Sequence, residues 1–298
     1  MPKVPKSLAV AAVAASLLAV GTTAAAQIRP SGGIVGGPNC VTPNGRGALN
    51  VVGATADGRL ICFSETDPAA ARTIATVSGL SGDTALVGID HRPATGELFG
   101  LGNAGGIYVL DAGTAAATKR SQLSVALEGS AFGIDFNPTV DRLRIVGDTG
   151  QNLRVNVDTG AATVDGALSY TAPPAPPVTT SGVIGAAYTN NDGDASTATT
   201  LFDLDAGLDQ VAIQAPPNAG GLNPTGKLGA DIGGRGDLDI HATIRSGATV
   251  AVTPLAALEV GGASRLYAVD LLTGRATSRG SFLAGTTVVG IAIPLNQL

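Results

Sequence analysis

The stretch "GIDFNPTVDRLRIV", residues 133–146, has a counterpart 45 residues earlier in "GIDHRPATGELFGL", residues 88–101. Gly, Ile, Asp and Pro stand in register in the two segments. Each segment has the pattern of a short apolar strand, a proline turn and a second strand. Because a third and an outer strand follow both copies, each unit supplies four short strands in about 45 residues, as a propeller blade does.

The same pattern continues along the chain and predicts how the ring closes. The strand over residues 288–293 has no outer strands after it, and the strands that begin at Leu49, Arg59 and Arg72 have no inner strand before them. We therefore predict an all-β, single β-propeller of five blades, closed by pairing of the C-terminal strand with the first blade. The candidate inner strands lie over residues 87–90, 132–136, 183–188, 238–243 and 288–293.

The composition agrees with many short strands joined by tight turns. The 298 residues include 42 Gly, 17 Pro and no Trp, and 44% are hydrophobic. Two stretches rich in Pro and Gly, residues 172–180 and 214–236, interrupt the repeat, and we expect both to be loops between blades.

The first 26 residues have the pattern of a signal peptide. Lys3 and Lys6 precede an apolar run over residues 8–20, and three alanines precede Gln27. The apolar run is about 13 residues long, whereas a helix that spans a bilayer needs about 20 residues. We expect residues 27–48 to form an irregular Gly/Pro-rich segment, residues 49–298 to form the propeller-like domain, and no membrane span to remain after signal removal.

The predicted leader also bears on location and partners. The protein should be exported, to the periplasm or the extracellular medium. Removing the two leader lysines takes the formal net charge from −5 to −7. Nucleic acid is therefore not an expected partner, because its binding needs clustered positive charge.

Cys40 and Cys62 are the only cysteines in the sequence. Export would expose them to oxidising conditions, so we predict a disulfide between them. The closed loop would contribute about 3 kcal/mol in the chain-entropy model. Two buried thiols are the alternative, and a metal pair is disfavoured because neither cysteine has a second ligand at Cys-x-x-Cys spacing.

Arg142 and Arg144 place two like charges on one face of a strand that should be apolar between blades. One interpretation is a ladder of ion pairs between blades, with Asp135 and Asp141 nearby and Arg154 on the next strand. The other is an anion-binding patch, in which Arg142, Arg144 and Arg154 converge on a carboxylate or phosphate. A buried arginine without a partner is energetically too unfavourable, so one of these two interpretations must hold.

Several of these segments carry a family resemblance. The strings "DFNPTVDRLRIV", "NLRVNVDTG", "GAAYTNND", "TTLFDLD" and "APPNAGGL", in this order, resemble the bacterial exported family called domain of unknown function 4394. The resemblance extends from about residue 85 to the C-terminus. It implies a propeller-like repeat in a secreted bacterial protein, and it implies no agreed activity.

The predicted inner strands would line a central channel with ionisable side chains. General acid–base or metal chemistry would find its groups there. In the alternative interpretation, Asp90 and Asp135 bind backbone amides at the channel mouth. The candidate channel residues are Asp90, His91, Asp135, Asp239 and His241.

The loop "TNNDGDAST" offers oxygens at alternate positions, from Asn190, Asp192 and Asp194. Calcium loops offer oxygens in this way, but no Glu closes the loop as in an EF-hand. The alternative is a solvated hairpin tip. We predict no cofactor, with calcium at this loop as the one candidate ion.

The sequence favours a non-enzymatic exported scaffold or binding module over an enzyme. No GxSxG, HExxH or phosphate-loop motif is present. The expected partner is an extracytoplasmic protein or a small molecule. The alternative is a propeller hydrolase or lactonase-like enzyme that uses the carboxylates of the central channel.

Overall fold

The structure, a computed structural model, describes residues 47–170, 178–194, 196–295 and 297. All of them belong to the unit that spans residues 32–298. The predicted signal peptide, residues 1–26, and nearly all of the segment 27–48 lie outside the described residues. Both assignments stay predictions.

Short apolar runs between Gly, Asp and Pro turns form 22 strands within the described residues, in five mainly antiparallel sheets. Blade 1 contains β1 (Asn50–Thr55), β2 (Arg59–Ser64), β3 (Asp67–Thr76) and β22 (Val288–Ala292). Blade 2 contains β4 (Leu86–His91), β5 (Leu98–Gly102), β6 (Gly106–Leu110) and β7 (Ala117–Gln122). Blade 3 contains β8 (Phe132–Asn137), β9 (Arg142–Gly147), β10 (Asn152–Val155) and β11 (Ala162–Val164).

Blade 4 has two additional edge strands, and blade 5 is built from longer strands than the other blades. Blade 4 contains β14 (Val183–Tyr188), β15 (Leu201–Asp205), β16 (Gln210–Gln214) and β17 (Gly221–Lys227), extended at its edge by β12 (Ser169–Tyr170) and β13 (Val178–Thr179). Blade 5 contains β18 (Gly236–Arg245), β19 (Ala248–Val260), β20 (Ala263–Val269) and β21 (Ala276–Ser281). One 3-10 turn, Pro217–Ala219, joins β16 to β17.

The inner strands form a closed ring, in which β22, β4, β8, β14 and β18 each contact the next and β18 contacts β22. The C-terminal strand β22 pairs antiparallel with β1, with Val52 opposite Ala292 and Ala54 opposite Gly290. The predicted all-β propeller of five blades, closed by its C-terminal strand, is therefore confirmed.

Within the part of the chain that the structure describes, five hydrophobic clusters fill the seams between neighbouring blades. The seam between blades 2 and 3 is rich in aromatic and branched side chains, including Phe99, Phe132 and Phe136. The cluster between blades 3 and 4 is smaller in side-chain volume and includes Ala186 and Ala212. Space therefore remains in that seam for polar side chains.

Glycine lets the inner strands approach one another at the axis. A Cβ atom at Gly133 of β8 would collide with the backbone at Gly185 and Ala186 of β14. The equivalent glycine of β22, Gly290, would place a Cβ 3.2 Å from the amide nitrogen of Ile89. Repeated glycine at this position thus permits a ring of only five blades to close tightly.

The expectation that residues 214–236 form a loop is wrong. This stretch contains β17, which pairs antiparallel with β16 and is an outer strand of blade 4. Pro224 sits within β17 opposite Ala212, so the proline-rich composition hid a strand near the blade edge. Of the other stretch, residues 178–179 form β13 and residues 171–177 lie outside the described residues.

Cys62 is buried in β2, at 3% exposure. Cys40 lies outside the described residues, so the pairing of the two cysteines stays a prediction. Among the residues that the structure describes, no helix has the length and apolar character needed to cross a bilayer.

Candidate functional site

Three of the predicted channel carboxylates meet at the propeller axis. One ligand oxygen from each of Asp90, Asp135 and Asp239 lies within 4.8 Å of the others. All three side chains are buried, at 3–6% exposure. They occupy equivalent positions of β4, β8 and β18, and the two remaining inner strands carry Ala187 and Ala292 there.

These carboxylates bind backbone amides of the next inner strand around the ring. The amide of Phe136 in β8 donates to Asp90 Oδ2 at 2.8 Å, and the amide of Tyr188 in β14 donates to Asp135. The amide of Ile293, just after β22, donates to Asp239 Oδ2 at 2.5 Å. The side chains therefore tie neighbouring blades together, as the alternative interpretation of the channel residues expects.

Asp237 is a fourth axial carboxyl group that sequence analysis missed. Its Oδ2 accepts a hydrogen bond from the amide of Ile291 at 3.1 Å, and it is 1% exposed. It stands where the repeat places glycine in the other units, two residues before the axial position. The Asp-x-Asp spacing of "DLD" in blade 5 was the available signal.

Burial sets the electrostatics of the axis, because an ionised carboxylate is poorly solvated there. It raises the pKa of Asp90 and of Asp135 well above the ordinary value, and the neighbouring carboxylates raise both further. Burial likewise raises the pKa of Asp237, and raises that of Asp239 to about 6. Burial and mutual repulsion therefore favour the protonated form of these carboxyl groups, and Asp239 takes up its proton as the pH falls through about 6.

The two histidines do not join the carboxylates. His91 Nδ1 lies 3.2 Å from the carbonyl oxygen of Gly96, and burial lowers the pKa of His91 to about 4. Burial also lowers the pKa of His241, which is 2% exposed. Within the described residues, no hydrogen bond links either imidazole to an axial carboxylate.

The axis offers little room for a substrate. At the end of the propeller where the inner strands begin, residues such as Leu86, Phe132 and Gly236 surround a depression of about 90 Å³. Among the described residues, the three axial carboxylates are the one group of side chains that could hold a metal ion. The oxygens of Asp90 and Asp239 already accept backbone hydrogen bonds.

The loop of Asn190, Asp192 and Asp194 is closed by hydrogen bonds from protein donors. Asp192 accepts from the hydroxyl of Thr197 and from the amide and hydroxyl of Thr249, at 2.9–3.2 Å. Asp194 Oδ1 accepts from the amide of Ser196, and Asn190 donates to backbone carbonyls. The loop thus docks on the β18–β19 hairpin, and calcium binding there stays a prediction.

Arg144 lies between blades 3 and 4 and is held by several partners at once. It is 2% exposed, and its Nη1 donates to Asp165 Oδ2 at 2.7 Å and to Asn152 Oδ1 at 2.6 Å. Its Nη2 donates to Asn218 Oδ1 at 2.9 Å, and its Nε to Tyr188 Oη at 3.3 Å. The guanidinium is therefore paired and fixed in orientation.

The predicted ladder of ion pairs has different members from those expected. Arg154 binds Asp165 through Nε and Nη2, at 2.7 and 3.0 Å, so Asp165 serves two arginines within blade 3. Asp141 pairs instead with Arg92 of blade 2. Asp135 belongs to the axial cluster.

The expectation that Arg142 is buried between blades is wrong. Its side chain is exposed, and its Nη1 donates to the carbonyl of Asp141 at 2.8 Å. Arg142 is the first residue of β9, directly after the β8–β9 turn. At this end of the blade the neighbouring sheet does not cover it.

Two of the cavities lined by described residues open on the end of the propeller to which the inner strands run, which we call the upper face. The upper face carries the turns at residues 92–97 and 138–141 and the loop 189–200. The first cavity, the seam 3–4 pocket, has a volume of about 430 Å³. It is lined by Asn137, Arg142, Arg144, Arg154, Tyr188 and Asn218.

The second cavity, the seam 4–5 cleft, lies between blades 4 and 5 and has a volume of about 760 Å³. Its lining is largely apolar and includes Phe202, Val252 and Leu272. Arg275 and Asp270 are the charged residues at its border. Sequence analysis did not single out this cleft, because its walls come from strands far apart in the chain.

The family model described as Domain of unknown function (DUF4394) matches residues 59–292. No curated protein matches the sequence. Among solved structures, an auxiliary nutrient binding protein from Bacteroides thetaiotaomicron VPI-5482 is 12% identical, with 83% of this chain and 72% of that chain covered and a TM-score of 0.42.

Two further solved structures are similar to this chain. A protein from Lactobacillus plantarum is 17% identical, with 82% of this chain and 71% of that chain covered and a TM-score of 0.38. The computationally designed protein Ika8 is 12% identical, with 83% of this chain and 63% of that chain covered and a TM-score of 0.34. The chain thus spans less than two thirds of the length of Ika8.

Proposed function

The chain belongs to the domain of unknown function 4394 family, and we propose that it is an exported, non-enzymatic binding module with its ligand site on the upper face. The observation that carries this proposal is that two large cavities lined by described residues open there. Their volumes, about 430 and 760 Å³, fall in the range of small-molecule sites, about 300–1,000 Å³. A small molecule is therefore the favoured partner over a protein.

The axial residues support a structural role for the channel. Asp90, Asp237 and Asp239 each accept backbone hydrogen bonds from a neighbouring blade. A general acid or base must reach a substrate, directly or through one water. The buried axial carboxyl groups would reach one only after the blades move apart.

A thermal-shift screen with sugars, dicarboxylates, phosphate and divalent cations tests the binding function. A ligand that binds the native state raises the melting temperature, and the stabilisation grows with the logarithm of the ligand concentration relative to its Kd. We expect at least one class of compound to do so. No shift with any class would overturn the proposal.

The enzyme alternative has its own test with lactone and aryl ester substrates. Hydrolysis that is lost in the Asp90→Asn variant, while the melting temperature stays near the wild-type value, would place chemistry at the axis. We expect no turnover by either protein. A matched variant at an exposed carboxylate, Asp231→Asn, controls for contaminating activity.

Export is the second part of the proposal, and its support lies in Lys3, Lys6 and the apolar run that follows. Intact-mass measurement of the secreted protein should give a chain that begins near Gln27. Alkylation without reduction should leave Cys40 and Cys62 unmodified. A chain that keeps residues 1–26, or two alkylated thiols, would contradict export or the disulfide respectively.

A further inference from the structure

Resting on the proposed binding function, we infer that the seam 3–4 pocket binds a small molecule through an oxyanion, either a carboxylate or a phosphate. Three guanidinium groups line this pocket, those of Arg142, Arg144 and Arg154. Guanidinium groups recognise oxyanions through parallel N–H donors. The protein as a whole is acidic, with a formal net charge of −5, so this grouping of positive charge is local.

The pocket keeps positive charge after its internal ion pairs are counted. Asp165 is the carboxylate that pairs with Arg144 and Arg154, which leaves a formal charge of +2 among the three arginines and this one acid. Asp203 lies near Arg144 with both carboxyl oxygens buried and without a hydrogen-bond partner. Burial raises the pKa of Asp203 well above its ordinary value, so its neutral form does not cancel the charge.

Donor groups remain available at the pocket after the protein has made its own hydrogen bonds. A guanidinium has five N–H donors. Arg154 uses Nε and Nη2 to hold Asp165, which leaves Nη1, and its side chain is 37% exposed. Arg142 uses Nη1 for backbone carbonyls, which leaves Nε and Nη2 at the rim.

The buried Arg144 gives this site a positive charge in a fixed position. Arg144 is held on four sides by Asp165, Asn152, Asn218 and Tyr188, so it loses little further freedom when a ligand binds. Asn137 adds a polar group and Val140 an apolar wall to the same cavity. The pocket thus combines a preorganised positive centre with room for the organic part of a ligand.

The experiment titrates the full mature protein with succinate, inorganic phosphate and uncharged succinamide, by calorimetry and thermal shift. We expect saturable binding of succinate, of phosphate or of both, weakened by added salt, and no binding of succinamide. Comparing the two anions identifies which oxyanion the pocket prefers. Failure of both anions at millimolar concentration would overturn the inference.

Variants of exposed arginines locate the site without damage to the fold. Arg142→Gln should weaken anion binding about tenfold, because one charged hydrogen-bond donor set is lost. Arg72→Gln, at an exposed arginine on β3, should leave the affinity unchanged. Equal weakening by the two variants would show that binding follows overall charge and would overturn the site.

The outcome also separates this inference from the proposed function. If both anions fail while a sugar or another neutral compound raises the melting temperature, the binding module stands and the oxyanion pocket falls. If no compound of any class binds, both fall.

Discussion

The propeller axis and the seam between blades 3 and 4 both bury ionisable groups, but they neutralise them differently. At the axis, carboxyl groups face one another and backbone amides, and burial raises the pKa of Asp90 and Asp135. In the seam, burial alone would raise the pKa of Asp165, but hydrogen bonds from Arg154 and Arg144 outweigh it and lower that pKa. The axial carboxyl groups are neutralised by protons, whereas Asp165 in the seam is neutralised by opposite charge.

The two regions therefore tolerate different changes. A proton-neutralised group responds to pH, because deprotonation leaves a charge without a counter-ion. A charge-paired group responds to the loss of its partner, because the remaining charge stays buried and uncompensated.

Deletion of residues 287–298 should have the largest effect, because it removes β22 from the axis. Val288, Ile291 and Ile293 are at most 3% exposed, and burying each contributes about 1.5–3 kcal/mol. Asp237 and Asp239 also lose the hydrogen bonds from the amides of Ile291 and Ile293. We expect no cooperative thermal transition in the truncated protein, and an unchanged melting temperature would contradict the closure.

Arg144→Leu should lower the free energy of unfolding by about 3 to 5 kcal/mol, because Asn152 Oδ1 and Asn218 Oδ1 lose their guanidinium donor and the buried Asp165 keeps only Arg154. Arg142→Leu is the matched control on the same strand. It should change stability by less than about 1 kcal/mol, since its side chain is exposed. Urea midpoints of the two variants decide, and near-native stability of Arg144→Leu would refute the charge-paired seam.

Asp239→Asn should change how stability depends on pH. The Asp239 carboxyl has a pKa of about 6 when folded, above its ordinary 3.8, so it binds a proton more tightly in the native state. Its contribution is fully present below about pH 4 and is lost as pH rises through about 6. The stability difference, wild type minus Asp239→Asn, should therefore fall by about 3 kcal/mol between about pH 4 and pH 7.

Subtracting the stability of Asp239→Asn from that of the wild type also removes the contribution of His91 to the pH dependence. The lowered pKa of His91, about 4, makes the wild-type stability rise with pH over part of the same range. That contribution cancels when the two proteins are subtracted. Asp231→Asn, an exposed control, should give a difference that does not change with pH, and a constant difference for Asp239→Asn would contradict proton neutralisation.

Tyr188→Phe should have the smallest effect. The lost hydroxyl accepts a hydrogen bond from Arg144 Nε at 3.3 Å, which is long, and the other partners of Arg144 remain. We expect a loss of about 1 kcal/mol or less. A loss comparable to that of Arg144→Leu would show that the seam depends on the phenol and not on Asp165.

The repeat made the blades and most of the axis predictable from the sequence. Asp90 and Asp135 stand in register within the two copies that define the blade, and Asp239 lies on a predicted inner strand. Asp237 was not predicted as an axial residue, because it replaces the glycine of that repeat. The Asp-x-Asp spacing of "DLD" was the signal of this departure from the repeat.

The seam was less predictable, because its partners are far apart in the chain. Arg144 reaches Asp165 across 21 residues and Asn218 across 74 residues, by way of the β11 edge and the β16–β17 turn. Nearness in sequence had suggested Asp135 and Asp141 instead. The alternation of side chains along a strand placed Arg142 and Arg144 on the same face of β9. Whether the next blade covers a residue on that face depends on where the residue lies along the strand.

Closure of the ring by β22 and β1 determines how the fold would yield to a pulling force. In this antiparallel pair, Val52 near the start of β1 lies opposite Ala292 at the end of β22. A force applied between these two ends would load the hydrogen bonds between the strands one after another, as a zipper opens, and not all together as in shear. Tension on the chain ends would therefore release β22 first, and the ring would open at blade 1 before any other blade is strained.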